Sequence, residues 1–187
     1  MNQLVSFPPA IATQPYRVTA EDYFRMIDAA IFGDAHVELV VGELLEMAPA
    51  GLEHSRQNGG IAVDLGIAYR KLNYRICIDA IVQLADETIR APDISIVDTA
   101  PQDRDYLLPS DILLAVEVAQ STLTEDLGRK RIDYASAGIR HYWVIDVTGK
   151  RSHCFSDPQG VDYAAIKVVP FGDPIAVPGT DTTITVA

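Results

Sequence analysis

Short apolar runs separated by two long stretches of helical periodicity set out most of the chain. Thr19-Ala20-Glu21-Asp22 opens the first helix: Thr19 can cap, acidic residues fill the first turn, and Tyr23, Met26, Ile27 and Ala30 recur at helical spacing. Val37 to Met47 reads as two strands joined at Val41-Gly42, a tight β-hairpin, although valine suits a primed turn poorly. Leu52 to Leu72 returns to the helical period, with Ile61, Leu65, Ala68 and Leu72 on one face. Arg75 to Leu84 and Thr88 to Asp98 predict a second hairpin, turning through Ala85-Asp86-Glu87.

Thr99 to Ser110 is polar and punctuated by proline, hence a surface loop. Asp111 to Ala119 is almost wholly aliphatic, the mark of a strand buried on both faces. Thr122 to Ala137 predicts a helix with Ser121 or Thr122 as its N-cap, closed at Gly138, where a left-handed cap falls. Strands follow over His141 to Val147, Arg151 to Phe155, Tyr163 to Val169 and Thr182 to Val186. This order predicts an α/β (α+β) fold, a mixed β-sheet flanked by helices, with an N-terminal helix and β-hairpins. The strand-helix-strand unit from 112 to 147 predicts a right-handed parallel crossover.

A chain of 187 residues, 48% of them hydrophobic, supports one domain with a sizeable core. The expected division is a flexible arm over 1–15 and a single domain over 16–187. The arm lacks the basic start and apolar stretch of a secretory signal, and no run matches a membrane span. Cys77 and Cys154 are far apart, outside metal-ligand spacing, and read as free thiols in strands. A soluble cytoplasmic protein is the expectation. The formal net charge of −11 counts against a strong nonspecific grip on nucleic acid. From Leu127 to Cys154, however, Arg129, Lys130, Arg131, Arg140, Lys150 and Arg151 outnumber Asp133 and Asp146.

Against this background Glu117 is misplaced, a carboxylate inside an apolar strand. Ionised and unpaired there it would cost several kcal/mol, so it must take up a proton or find a cation. Pro92-Asp93 heads another short apolar strand, Ile94 to Val97. Asp93 and Glu117 on adjacent strands could ligate Mg²⁺ or Mn²⁺, hard cations that prefer oxygen. Lys130 shares a helical stripe with Asp126 and Tyr134, and could hold a water or offset phosphate charge. The bland alternative is an Asp126–Lys130 surface ion pair. Glu38 could add a ligand or a general base, and His54 a proton shuttle or phosphate contact. There is no P-loop, dinucleotide fingerprint or zinc motif.

Taken together, these segments resemble one family. Glu38-Leu39-Val40-Val41-Gly42-Glu43-Leu44 is similar to its Glu-Leu-Ile-Asp-Gly-Glu-Leu hairpin. Pro92-Asp93, Glu117 to Leu123, Asp126, Lys130, Tyr134, Gly138-Ile139 and Tyr142 to Asp146 follow in the family's order and spacing. The likeness, from about Tyr16 onward, is to the Uma-two family, bacterial proteins described as restriction endonucleases within the PD-(D/E)xK nuclease superfamily. It implies a restriction-endonuclease-like core, Asp93 and Glu117 as metal ligands, Glu38 as an accessory acid, and Lys130 standing in for the superfamily lysine. That lysine ordinarily follows the acidic ligand by two residues, where this chain has Ala119. Gln120 replaces a frequent acidic residue, and Val41 the usual turn aspartate. The implied activity is metal-dependent hydrolysis of DNA phosphodiester bonds, with a homodimer as the implied assembly. A catalytically inactive module kept for dimerisation or nucleic-acid binding is the alternative.

Overall fold

Strand β7 (Ile112–Ala119) is the spine of the molecule, buried along all eight residues. The computed structural model describes residues 14–98 and 103–187, so most of the expected N-terminal arm and the start of the 99–110 loop lie outside the described residues. Around β7 a six-stranded sheet runs in the order β10-β9-β8-β7-β6-β3. Its other members are β3 (Arg75–Ile78), β6 (Ile94–Val97), β8 (His141–Asp146), β9 (Arg151–Gln159) and β10 (Asp162–Pro170). β7 and β8 pair in parallel, as the crossover requires, and every other neighbouring pair is antiparallel.

A second sheet, ordered β2-β1-β5-β4, holds β1 (Val37–Val40), β2 (Glu43–Glu46), β4 (Val82–Ala85) and β5 (Thr88–Arg90). The predicted single hairpin over 75–98 therefore divides. Its tip, β4–β5, belongs to the small sheet, while its base, β3–β6, belongs to the large one. The chain breaks register at Asp79-Ala80-Ile81 and Ala91-Pro92-Asp93: Asp79 takes a left-handed φ of 50°, and Pro92 has no amide to give a ladder. Asp93 stands at this seam.

Helix α1 (Ala20–Asp28) starts in a capping box between Thr19 and Asp22, as its sequence predicts. It buries Ala20 and Tyr23; the expected stripe does not reach Ala30, which is left-handed beyond the helix end. Helix α2 (Leu52–Tyr69) stops three residues short of the predicted Leu72, which is exposed, and buries Ile61, Leu65 and Tyr69. The predicted helix over 122–137 has three parts. α3 (Leu123–Glu125) passes into a π-helical turn (Asp126–Lys130), then α4 (Arg131–Ser136). Gly138 closes it with φ 80°. β9 and β10 run longer than predicted, and β11 (Pro174–Ala176) pairs with β12 (Thr183–Thr185) as a small extra ribbon.

The two faces of β7 lead to two cores. Leu114, Val116 and Val118 join Ile61, Leu65 and Tyr69 of α2 and Ile175 and Ile184 of the ribbon. Ala115 and Ala119 join Tyr134 and Ala135 of α4 with Tyr142, Phe155 and Tyr163. By the two-residue period of a strand, Glu117 points to the α4 side with the alanines, whose small side chains leave it room. No helix among the described residues is long and apolar enough to cross a membrane.

Candidate active site

Glu117 is 3% exposed and meets two partners from the crossover segment. Lys130 Nζ lies 3.0 Å from its Oε2, and the Tyr134 hydroxyl donates to its Oε1 at 2.7 Å. Burial pushes the Glu117 carboxyl well above its ordinary range; Lys130 opposes that, while Asp93, Asp126 and Glu38 reinforce it. Burial lowers the Lys130 ammonium, but Glu117, Glu38 and Asp126 more than offset it and leave its pKa raised. Lys130 stays protonated, so the pair is ionic while Glu117 is charged.

Asp126 also lies inside, so the surface Asp126–Lys130 pair is corrected to a buried one, with 3.6 Å between Nζ and Oδ1. Thr122 is the N-cap position, but its hydroxyl donates to Asp126 Oδ2 at 2.5 Å instead of capping backbone. Asp126 Oδ1 has no hydrogen-bond partner, and burial raises this carboxyl too. Both residues belong to the π-helical turn Asp126–Lys130 and are its buried members.

Asp93 is fixed across the seam. Its Oδ2 accepts from the Val118 amide at 2.6 Å and lies 3.2 Å from His54 Nε2. The hydrogen bond to Asp93 raises the His54 pKa against the opposing pull of burial. Glu38 sits on the far side of Lys130, with 3.9 Å between its Oε1 and Nζ. Glu38, His54, Asp93, Glu117, Gln120 and Lys130 all line one cleft of about 1050 Å³. Gln120 is exposed at its rim. Glu43 and Glu46 are exposed on β2.

The site contains two residues that the sequence reading passes over. Arg90, at the end of β5, donates to Glu38 Oε2 at 2.7 Å and to Asp133 Oδ2 at 2.7 and 3.1 Å. Asp133 in turn accepts from Arg129 at 2.8 Å. The one available signal was an arginine closing a short strand whose neighbours, Thr88 and Ile89, are strand formers.

Among the described residues no group of three or more His, Cys, Asp or Glu side chains is arranged to hold a metal. Two carboxylates nevertheless suit Mg²⁺ or Mn²⁺, which retain waters and take substrate oxygens as further ligands. The charge inventory fits as well: buried Glu38, Glu117, Asp126 and Asp133 exceed the buried cations Arg90 and Lys130, and Asp126 Oδ1, 3.6 Å from Lys130 Nζ, accepts no hydrogen bond.

Comparison with known proteins agrees with the fold. The family model Uma2, described as "Putative restriction endonuclease", matches residues 20–187. No curated protein matches the chain. Among solved structures, the chain is similar to "a putative nuclease belonging to DUF820" from Anabaena variabilis, with a TM-score of 0.67 at 14% identity. The match covers 90% of this chain and 95% of that one.

Proposed function

The chain belongs to the Uma2 family, and from that premise we propose that it is a metal-dependent endonuclease that hydrolyses phosphodiester bonds, with DNA as the first substrate to test. The observation that carries this reading is the contact of Lys130 with Glu117 at 3.0 Å in the wall of a cleft that also holds Asp93. Asp93 and Glu117 would hold Mg²⁺ or Mn²⁺. Bound there, such an ion would polarise a phosphate oxygen and lower the pKa of a ligated water.

The chain's own residues supply the remainder. The Tyr134 hydroxyl and the Val118 amide hold one oxygen each of Glu117 and Asp93, which fixes the direction of the free lone pairs. Lys130 is a permanent cation beside the reacting position, suited to stabilising the charge that builds on phosphorus-bound oxygens. His54, which lines the cleft and bonds to Asp93 through Nε2, is a candidate proton shuttle or phosphate contact. Gln120 at the rim remains a candidate for contact with the substrate.

The acidic balance of the chain favours a narrow substrate, or one delivered by a partner, over sliding on DNA. The contact of Lys130 with Glu117, which already satisfies that carboxylate, supports the second reading: a catalytically inactive module used for dimerisation or nucleic-acid binding. Calorimetric titration of Mn²⁺ into the wild type and Glu117→Gln, with nicking of supercoiled plasmid, separates the two. Binding and nicking that vanish together in Glu117→Gln support the nuclease; a wild type that neither binds Mn²⁺ nor nicks leaves the module. Sedimentation equilibrium tests the homodimer.

A further inference from the structure

Arg90 is 1% exposed, an unusual place for a guanidinium, and Lys130, Glu117 and Asp93 do not touch it. It grips carboxylates from three separate elements: Glu38 of β1, Asp133 of α4, and Glu125 of α3, the last at 3.1 Å. A lysine has a single nitrogen and could not reach all three, whereas the planar fork of arginine presents fixed donors on three nitrogens. Glu38 is thereby held at both oxygens, because its Oε1 accepts from the Ala91 amide at 3.2 Å. That same oxygen is the one 3.9 Å from Lys130 Nζ.

We propose that Arg90 is a positioning residue of the candidate active site: it clamps Glu38 between its guanidinium and the Ala91 amide, so that Lys130 rests on Glu117 and not on Glu38. Two consequences follow from the geometry. Glu38 is a fixed charge at the back of the lysine and not a free general base, since both of its oxygens are engaged. Arg90 joins the small sheet to the crossover helix through the hydrogen bonds to Glu38 and Asp133, at shorter range than the 3.9 Å Lys130–Glu38 pair, so the distance between Glu38 and Lys130 depends on Arg90. A guanidinium that merely staples two layers would add stability without setting where Glu38 stands.

The catalytic consequence rests on the nuclease reading; the placement of Glu38 does not. The test is Arg90→Lys in the full chain, with circular dichroism to establish the fold and amide hydrogen exchange read at Ala91 and Val118. Loss of the guanidinium fork should speed Ala91 exchange on the order of tenfold and leave Val118, which bonds to Asp93, unchanged. In Mn²⁺-dependent plasmid nicking, Arg90→Lys and Glu38→Gln should each lower kcat with KM unchanged, and the double variant should be no worse than either.

Unaltered Ala91 exchange in a folded Arg90→Lys overturns the proposal, as do additive losses in the double variant. A wild type that nicks no plasmid removes the nuclease reading alone, and Ala91 exchange still decides the clamp. If Arg90→Lys does not fold, Asp133→Asn takes its place. It loosens the guanidinium from the helix side, and unaltered Ala91 exchange there is equally fatal.

Discussion

Lys130 Nζ and Glu117 Oε2 stand 3.0 Å apart, one on a π-helical turn and the other in mid-strand, with both side chains at most 5% exposed. The pair is asymmetric. Lys130 faces three carboxylates, while Glu117 faces one cation. Lys130→Met should therefore destabilise the protein by roughly 3–5 kcal/mol near neutral pH, because it leaves the buried Glu117 and Asp126 carboxylates without a counter-charge. The sign with pH follows from the raised Glu117 and Asp126 carboxyls. Protonated in the fold, they contribute stability that is fully present below their ordinary values and lost as pH rises through the raised ones. The deficit of Lys130→Met should accordingly be larger at about pH 8 than at about pH 5 by urea unfolding, and a deficit independent of pH would refute this.

The β1–β2 turn offers a local test. Val41 and Gly42 both take left-handed φ, 49° and 76°, the backbone of a type I′ turn. Gly42 suits this, but Val41 is β-branched and strained there. Val41→Asn should raise stability by about 1 kcal/mol with no effect on the cleft, seen as a higher urea midpoint at unchanged slope.

Which parts of the site were legible depends on how far their causes reach along the chain. Glu117 announces itself by contrast with its apolar neighbours, and Lys130 and Tyr134 by helical spacing from Asp126. The π-turn left no such mark: Gly128 sits in a stretch whose period reads as an ordinary helix, and nothing lies within 4 Å of where its Cβ would be. Arg90 and Glu38 are 52 residues apart, and Arg90 and Asp133 are 43, so no local pattern links them. The divided hairpin was partly written in Pro92. What was hidden was that β1 would take the tip of the hairpin into a second sheet, a matter of packing between distant segments.

His54 should make stability fall with rising pH over a defined window. Its pKa is raised above the ordinary 6.5, chiefly by the hydrogen bond to Asp93 and against burial. The charged bond therefore stabilises fully below about 6.5 and fades as pH rises through the raised folded value. His54→Gln should cost about 1 kcal/mol at the acid end of this window and much less beyond its alkaline end. Urea unfolding of both proteins across the window provides the measurement, and equal costs at both ends would show that His54 acts through shape and not charge.

Tyr134 bears on the proposed metal site without supplying a ligand to it. Its hydroxyl donates to Glu117 Oε1 at 2.7 Å in a wholly buried contact, and burial keeps its own pKa well above the ordinary phenol range. It is thus a hydrogen-bond donor at any workable pH, and it leaves Glu117 Oε2 as the oxygen that Lys130 and an incoming cation would share. Tyr134→Phe keeps the ring against Tyr142 and removes only that donor. Loss of an orienting partner of this kind should weaken Mn²⁺ binding by about tenfold or more, measured by calorimetry. Affinity equal to wild type would mean that Glu117 is directed by the lysine alone, or that the ion is held elsewhere.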